Sequence, residues 1–181
     1  MIFEKQDLDG IYIITPELFK DERGYFFELF RHSEFFNKLN ENFVQDNEVF
    51  SKESNIIRGL HYQIDRPQDK LIRVVSGAIK DIAVDVRLGS PNFGKSFTVT
   101  LTAENHKMLY VPEGFAHGYL VLEQNTIVHY KCTNYYHAQS EHGVRWDDPD
   151  INIDWGISDP VLSKKDKMLP FLKMQTKLPR F

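Results

Sequence analysis

Cysteine is nearly absent from the sequence, and long apolar runs are absent altogether. The single cysteine, Cys132, can form neither an internal disulfide nor a cysteine-based zinc site. No apolar run approaches membrane-spanning length, and the first residues lack the apolar stretch that a secretory signal needs. These absences favour a reducing cytoplasm as the location of the protein and predict no association with a membrane.

Basic residues are also outnumbered by acidic ones, 22 Lys and Arg against 26 Asp and Glu, so the formal net charge at pH 7 is −4. Phosphate-backbone binding needs a basic face, so this balance argues against a nucleic-acid-binding protein. Aromatic residues, by contrast, make up 13% of the 181 residues. Such a share favours β-structure or an aromatic-lined cavity, and the length suits one domain with a sizeable core.

Short strand-like stretches recur along the chain, separated by turns rich in Gly, Pro and Asn. One short helix is predicted where Ser33 can cap a turn whose Phe35, Phe36 and Leu39 share a face. The spacing indicates an antiparallel sandwich or barrel. We therefore predict one all-β, barrel-like domain over residues 1–181, with a polar segment from about 150 to 181 packed on the barrel. The predicted strands cover residues 11–14, 25–30, 71–75, 79–86, 97–101, 109–111, 118–122 and 126–132.

Residues 56–75 concentrate polar side chains between two apolar stretches. Strand alternation places Arg58 and His61 on opposite faces, but a bulge at Gly59 can bring both to one cavity. Lys70 follows after a polar turn, at the head of the next apolar run. A segment required only for the core has little need of so many polar groups, so we interpret it as one wall of an active site.

His61 and His117 raise the possibility of a metal site, because the segment 112–117 resembles the second motif of the cupin β-barrels. The positions of the remaining metal ligands are taken by Gln63 and, farther along, Lys70. A neutral amide is a poor ligand and an ammonium repels a divalent cation. The sequence therefore predicts a site without a metal; the alternative is a metal-dependent cupin that uses both histidines.

Without a metal, the polar residues still fit proton chemistry. His61 suits a general base near neutral pH, Lys70 can stabilise a developing oxyanion, and the Tyr130 phenol can deliver a proton from the other side. Together they match proton abstraction next to a carbonyl group. Each residue alone is equally compatible with a structural role, so a sugar-binding or structural barrel stays open at this level.

Along most of its length the sequence resembles the dTDP-4-dehydrorhamnose 3,5-epimerases, which make the nucleotide-linked precursor of L-rhamnose. The resemblance extends over about residues 2–172. It implies an isomerase with a cupin-like double-stranded β-helix (a jelly-roll barrel with a few short helices), no metal or other cofactor, and a homodimeric state. The matching segments are 19–28, 44–47, 58–63, 70–71, 81–87, 90–94, 112–118, 130–136, 141, 146–149 and 162–166.

The resemblance also implies a role for each matching residue. His61 removes protons from C3 and C5 of dTDP-4-dehydro-6-deoxy-D-glucose, Asp166 orients the imidazole, and Lys70 holds the C4 oxygen. Tyr130 reprotonates the sugar from the opposite face, giving dTDP-4-dehydro-L-rhamnose. The substrate-contacting positions, which include a tyrosine stacked on the thymine, are Arg23, Glu28, Gln45, Asn47, Arg58, His117, Tyr136, Glu141 and Lys165.

Three departures from the family pattern fall near the expected substrate wall. Val49 stands where the family commonly has serine, residues 50–54 are atypical, and Asp69 stands where a small residue is frequent. Two alternatives therefore remain, a 3-epimerase and a 3,5-epimerase acting on another nucleotide-linked 4-keto sugar. A 3,4-ketoisomerase fits less well, because such enzymes are expected to depart from the Arg-Gly-Leu-His and Tyr-Lys motifs that this chain keeps.

Overall fold

The computed structural model describes residues 1–181, and most of its regular structure is β-strand. Two helices are present, α1 (His32–Leu39) and α2 (Lys164–Lys167), with short 3₁₀ turns at Ala138–Ser140 and Leu172–Met174. Neither helix has the length and apolar character needed to cross a membrane. The strands are β1 (Ile2–Lys5), β2 (Tyr12–Thr15), β3 (Phe19–Asp21), β4 (Gly24–Phe26), β5 (Gln45–Ser51), β6 (Ile57–Gln63), β7 (Lys70–Ser76), β8 (Ala78–Asp85), β9 (Ser96–Thr102), β10 (Met108–Val111), β11 (Phe115–Val121), β12 (Thr126–Cys132) and β13 (Glu141–Gly143).

Two antiparallel sheets form the body of the protein. The first sheet has the order β1-β2-β10-β7-β12-β5, and the second has the order β13-β6-β11-β8-β9. A separate hairpin pairs β3 with β4. This architecture confirms the predicted all-β, cupin-like barrel with a few short helices.

The main core lies between the two sheets. Ile72 and Leu109 from the first sheet pack with Ile79, Leu101 and Val121 from the second, and all five side chains are fully buried. Complete burial of such a side chain contributes roughly 1.5–3 kcal/mol, so this layer contributes strongly to stability.

The outer faces of both sheets are covered as well. Trp155 and Leu172 of the C-terminal segment pack against Leu60 of the second sheet. Phe35 of α1 packs against Met108 on the first sheet. Strands that are covered on both sides lose the contrast between an apolar and a polar face. This is why β8 is buried along nearly its whole length.

Three local predictions were wrong or incomplete. The strand predicted for residues 25–30 ends at Phe26, because Phe30 instead packs on Phe35 of α1 at a centroid distance of 4.8 Å. Helix α1 begins at His32 with Arg31 at its N-cap position, so Ser33 lies inside the helix and does not cap it. Strands β1, β3 and β13 were not predicted.

The predicted bulge in β6 is confirmed. His61 lies opposite His117 on β11, whereas Arg58 lies opposite Tyr119. Strand β6 therefore has one more residue than β11 over this interval. Gly59 makes the close approach possible: it has φ +113°, and a Cβ there would lie 2.6 Å from the Cα of Gly118. The bulge turns both Arg58 and His61 towards the same cavity.

Candidate active site

A cavity of about 520 Å³ lies between the sheets and is lined by residues of β5, β6, β7, β11, β12 and β13 together with α2. All the predicted site residues except Arg23 and Glu28 line it. They are Gln45, Asn47, Arg58, His61, Lys70, His117, Tyr130, Tyr136, Glu141, Lys165 and Asp166. Residues more than one hundred positions apart in the chain are thus brought to one place.

Arg23 and Glu28 lie outside the cavity. Arg23 is at the turn of the β3–β4 hairpin, where its side chain is 86% exposed and pairs with Asp21 at 2.6 Å. Glu28 follows the hairpin and accepts a hydrogen bond from Arg31 at 2.6 Å. Within a single chain, neither side chain reaches the cavity.

His61 and Asp166 form a tightly held pair. The imidazole Nε2 lies 2.7 Å from Asp166 Oδ1, and because a carboxylate only accepts, Nε2 carries the proton and Nδ1 keeps its lone pair. Ser163, the N-cap of α2, donates to Asp166 Oδ2 at 2.8 Å and accepts from the Asp166 amide at 3.0 Å. Burial alone raises the pKa of Asp166, but the bonds from His61 and Ser163 outweigh it and lower the pKa. A fixed negative charge therefore lies beside the imidazole.

Glu141 lies on the other side of the same ring. Its Oε1 is 3.5 Å from His61 Nδ1, which is longer than a good hydrogen bond. Its Oε2 accepts from the Tyr136 hydroxyl at 2.6 Å and pairs with Lys165 Nζ at 2.5 Å. Burial raises the pKa of Glu141, but these two contacts, with His61, lower it overall. The imidazole is thus held between two carboxylates.

Lys70 is the first residue of β7, and its ammonium group is poorly satisfied. Its hydrogen bond runs from Nζ to the His61 carbonyl oxygen at 3.4 Å. Burial lowers the pKa of Lys70, while the charges of Cys132, Glu141 and Asp81 oppose that shift. An ammonium has three N–H donors, so Lys70 retains donors for an oxygen that develops negative charge in the cavity.

Tyr130 faces His61 from the other sheet. It lies on β12 of the first sheet, beside Asn47 of β5, whereas His61 lies on β6 of the second sheet. Burial raises the pKa of Tyr130, which keeps the phenol protonated near neutral pH. Lys70 also belongs to the first sheet, so an imidazole on one wall faces a phenol and an ammonium on the other.

His117 has a partner that the sequence interpretation missed. Its Nε2 lies 2.6 Å from Oδ1 of Asp81, a fully buried residue of β8. Asp81 Oδ2 and the neighbouring Tyr119 hydroxyl are buried without a hydrogen-bond partner. The signal was present in the sequence, since an aspartate on the apolar β8 strand must be paired when it is buried.

The residues that suggested a metal site, His61, His117 and Gln63, form hydrogen bonds with other protein groups. His61 and His117 are opposite each other in register, yet each directs Nε2 to an aspartate. Gln63 donates to the Arg66 carbonyl and accepts from the His137 amide. The structure contains no group of three or more His, Cys, Asp or Glu side chains placed to hold a metal ion.

The nucleotide end of the predicted site is held by hydrogen bonds within β5 and from β5 to the loop that follows β12. Gln45 donates to Asn47 at 2.9 Å, and its Oε1 accepts from the Tyr136 amide at 3.0 Å. Tyr136 is 54% exposed, so the ring borders both the cavity and solvent. Such a ring can receive a flat heterocycle by stacking.

Comparison with known proteins gives a consistent result. The sequence pattern described as dTDP-4-dehydrorhamnose 3,5-epimerase matches residues 5–174. A protein of that name from Methanothermobacter thermautotrophicus is 48% identical over 169 residues, which is 91% of each chain. The crystal structure of a dTDP-6-deoxy-D-glucose-3,5-epimerase from Legionella pneumophila, in complex with dTDP-4-keto-L-rhamnose, has a TM-score of 0.94. It is 40% identical and covers 99% of this chain and 98% of the other.

A mono-epimerase is also similar. The 3'-monoepimerase ChmJ from Streptomyces bikiniensis, crystallised with dTDP-quinovose, has a TM-score of 0.90 and 32% identity. The match covers 97% of this chain and 91% of that one.

Proposed function

The chain belongs to the dTDP-4-dehydrorhamnose 3,5-epimerase family and is an isomerase, and we propose that it inverts its sugar with His61 as base and Tyr130 as acid. The substrate is dTDP-4-dehydro-6-deoxy-D-glucose, and the product is dTDP-4-dehydro-L-rhamnose. The observation that carries the residue roles is the arrangement across the cavity. His61 with its Asp166 partner lies on one sheet, while Tyr130 and Lys70 lie on the facing sheet.

The first step is removal of a proton next to the C4 ketone. The ketone acidifies the C–H bonds at both C3 and C5, and the lone pair on His61 Nδ1 accepts the proton. Asp166, 2.7 Å from Nε2, stabilises the imidazolium that forms. Negative charge moves to the C4 oxygen, where Lys70 receives it; such a preorganised donor is worth on the order of 10²–10³ in rate.

The second step returns a proton to the opposite face. Tyr130 approaches from the other sheet, so delivery from its hydroxyl inverts the carbon instead of restoring it. The phenolate that remains shares the cavity with the positive charges of Lys70 and Arg58, which limits the cost of its charge. The same pair then acts on the second carbon.

The nucleotide part of the substrate fits the remaining lining residues. Arg58 is held by the Ser51 hydroxyl and the Phe50 carbonyl, each at 3.3 Å. A guanidinium can bind the diphosphate with two parallel hydrogen bonds, and Lys165 adds charge. Tyr136 is available to stack on the thymine.

Residues 1–181 act as one epimerase domain, and residues 150–181 are part of it. The location of the protein is the cytoplasm.

We also infer that the enzyme is a homodimer whose β3–β4 hairpin reaches the second copy. The hairpin exposes large apolar side chains, with Phe19 56% and Phe26 68% exposed. Such a patch favours a protein interface. Arg23 and Glu28, the two family-matched residues outside the cavity, lie on or beside this hairpin. Docking on a second copy gives them a route to a substrate.

A mixing experiment tests that assembly. Arg23→Ala retains His61, whereas His61→Ala retains Arg23, and each variant alone should be weakly active or inactive. If Arg23 serves the partner's cavity, mixed dimers regain one complete site and activity rises after the two proteins are mixed and reannealed. A monomer by light scattering, or no gain on mixing, contradicts the proposal.

The reaction itself is tested in heavy water. The enzyme is incubated with dTDP-4-dehydro-6-deoxy-D-glucose in D₂O, with and without a metal chelator, and followed by NMR. We expect deuterium at both C3 and C5, at the same rate in chelator. Deuterium at C3 alone assigns the chain to the mono-epimerases that it also resembles, and deuterium at neither carbon refutes the proposal.

A further inference from the structure

If the proposed function holds, one base and one acid can invert two carbons only when their protonation states are restored between the two inversions. After the first inversion, His61 holds the proton taken from the sugar and Tyr130 has lost its own. Neither group can act on the second carbon in that state. The His61 proton must leave while the singly inverted sugar is still bound, or that sugar is released as a by-product.

The base nitrogen has one titratable neighbour that can receive this proton. His61 Nδ1 lies 3.5 Å from Glu141 Oε1, only about 0.5 Å longer than an ordinary N–H···O hydrogen bond. The other ring nitrogen is occupied by Asp166, whose side chain is only 6% exposed and whose second oxygen is bound by Ser163. Asp166 is therefore closed to solvent exchange.

Glu141 differs from Asp166 in its access to water. Its carboxylate lies at the start of β13, beside Tyr136 and Lys165, which are both about half exposed. The Glu141 side chain itself is 12% exposed. One Glu141 oxygen thus faces His61, while the adjacent Tyr136 and Lys165 side chains form the rim of the cavity.

We propose that Glu141 transfers the His61 proton to solvent between the two inversions. The Nδ1–H bond of His61 breaks as an O–H bond forms on Glu141, and that O–H bond breaks as a water at the rim takes the proton. A second water returns a proton to the Tyr130 phenolate, so the reset consumes no net proton. The contacts of Lys165 and Tyr136 keep the pKa of the Glu141 carboxyl low, so the carboxyl passes the proton on and does not retain it.

A relay differs measurably from a residue that only stabilises the imidazolium. Charge stabilisation acts in every proton abstraction, so its loss slows both inversions by one factor. A relay is required only after the first inversion, so its loss changes the ratio of the second inversion to the first. That ratio is read as the fraction of released sugar carrying deuterium at one carbon only.

The experiment compares Glu141→Gln and Glu141→Ala with the unchanged enzyme in D₂O, with NMR at early times. In a single turnover we expect the second inversion to slow by about 100-fold relative to the first, the low end of the range for a positioned proton-transfer group. Singly deuterated sugar then accumulates. Added formate, a carboxylate small enough for the space left by alanine, restores double inversion in Glu141→Ala and not in Glu141→Gln.

Glu48→Gln is the matched control, because Glu48 also contacts a histidine, His129 at 2.7 Å, but on the outer surface. It should leave the ratio unchanged. Equal slowing of both inversions in the Glu141 variants overturns the relay. Accumulation that formate does not reverse also overturns it, because that pattern indicates weaker retention of the sugar. Absence of deuterium with the unchanged enzyme refutes the proposed function itself, which distinguishes the two failures.

Discussion

Replacing Asp166 by asparagine tests the pairing that supports the base. The amide is nearly the same shape as the carboxylate, and it can keep its oxygen on His61 Nε2 while its NH₂ group donates to Ser163 Oγ. Both hydrogen bonds of the present structure, at 2.7 and 2.8 Å, retain a partner. Only the negative charge beside the imidazole is lost.

The size of the effect follows from the kind of bond that is weakened. At 2.7 Å the contact is a short, charge-assisted hydrogen bond once His61 has taken a proton. Bonds to charged groups contribute about 1.5–3 kcal/mol, and about 1.4 kcal/mol corresponds to tenfold in rate. We therefore expect Asp166→Asn to slow turnover by about 10- to 150-fold.

The assay is deuterium incorporation at C3 and C5, measured separately. Because Asp166 serves His61 in both abstractions, both rates should fall by the same factor, while dTDP binding by calorimetry stays unchanged. Ser163→Ala, which removes only the outer bond to Asp166, should cost less. An Asp166→Asn variant with the original rate, or one that slows a single carbon, refutes the reasoning.

Two further predictions concern Lys70 and Glu41. Lys70→Gln should lower kcat by about 10²–10³-fold with nucleotide binding retained, as expected for loss of an oxyanion donor; an unchanged kcat contradicts that role. Burial, with nearby Asp69, raises the pKa of Glu41 to about 7 from 4.5. The contribution of the protonated Glu41 carboxyl to the free energy of unfolding is complete below pH 4.5 and is lost as the pH rises through about 7. Glu41→Gln should therefore raise Tm more at about pH 8 than at about pH 5, and equal shifts at the two pH values contradict this.

Local pattern was sufficient for much of the scaffold. Turn residues and short apolar stretches predicted most strands, and Gly59 predicted the bulge that turns Arg58 towards the cavity. The error at residues 25–30 has a physical cause: an aromatic run is equally suited to a strand and to packing on a helix, and neighbouring α1 decides between them. Strand β13 is only three residues long and has no such pattern.

The site was less accessible to local reasoning. Nothing near His61 indicates that Asp166, 105 positions later, is its partner, and only the family resemblance supplied that pairing. Asp81 was missed because its carboxylate is paired across strands with His117, a relation that alternation alone does not specify. The resemblance also named Arg23, whose side chain lies outside the cavity on the exposed β3–β4 hairpin.

The central claim is that one base, His61, removes the protons at both carbons. The direct measurement is deuterium incorporation by His61→Ala in D₂O, beside its affinity for dTDP. We predict no incorporation at C3 or at C5, with dTDP bound as tightly as by the unchanged enzyme. Continued incorporation at either carbon by a folded, dTDP-binding His61→Ala variant would show that another group is the base and would contradict the account.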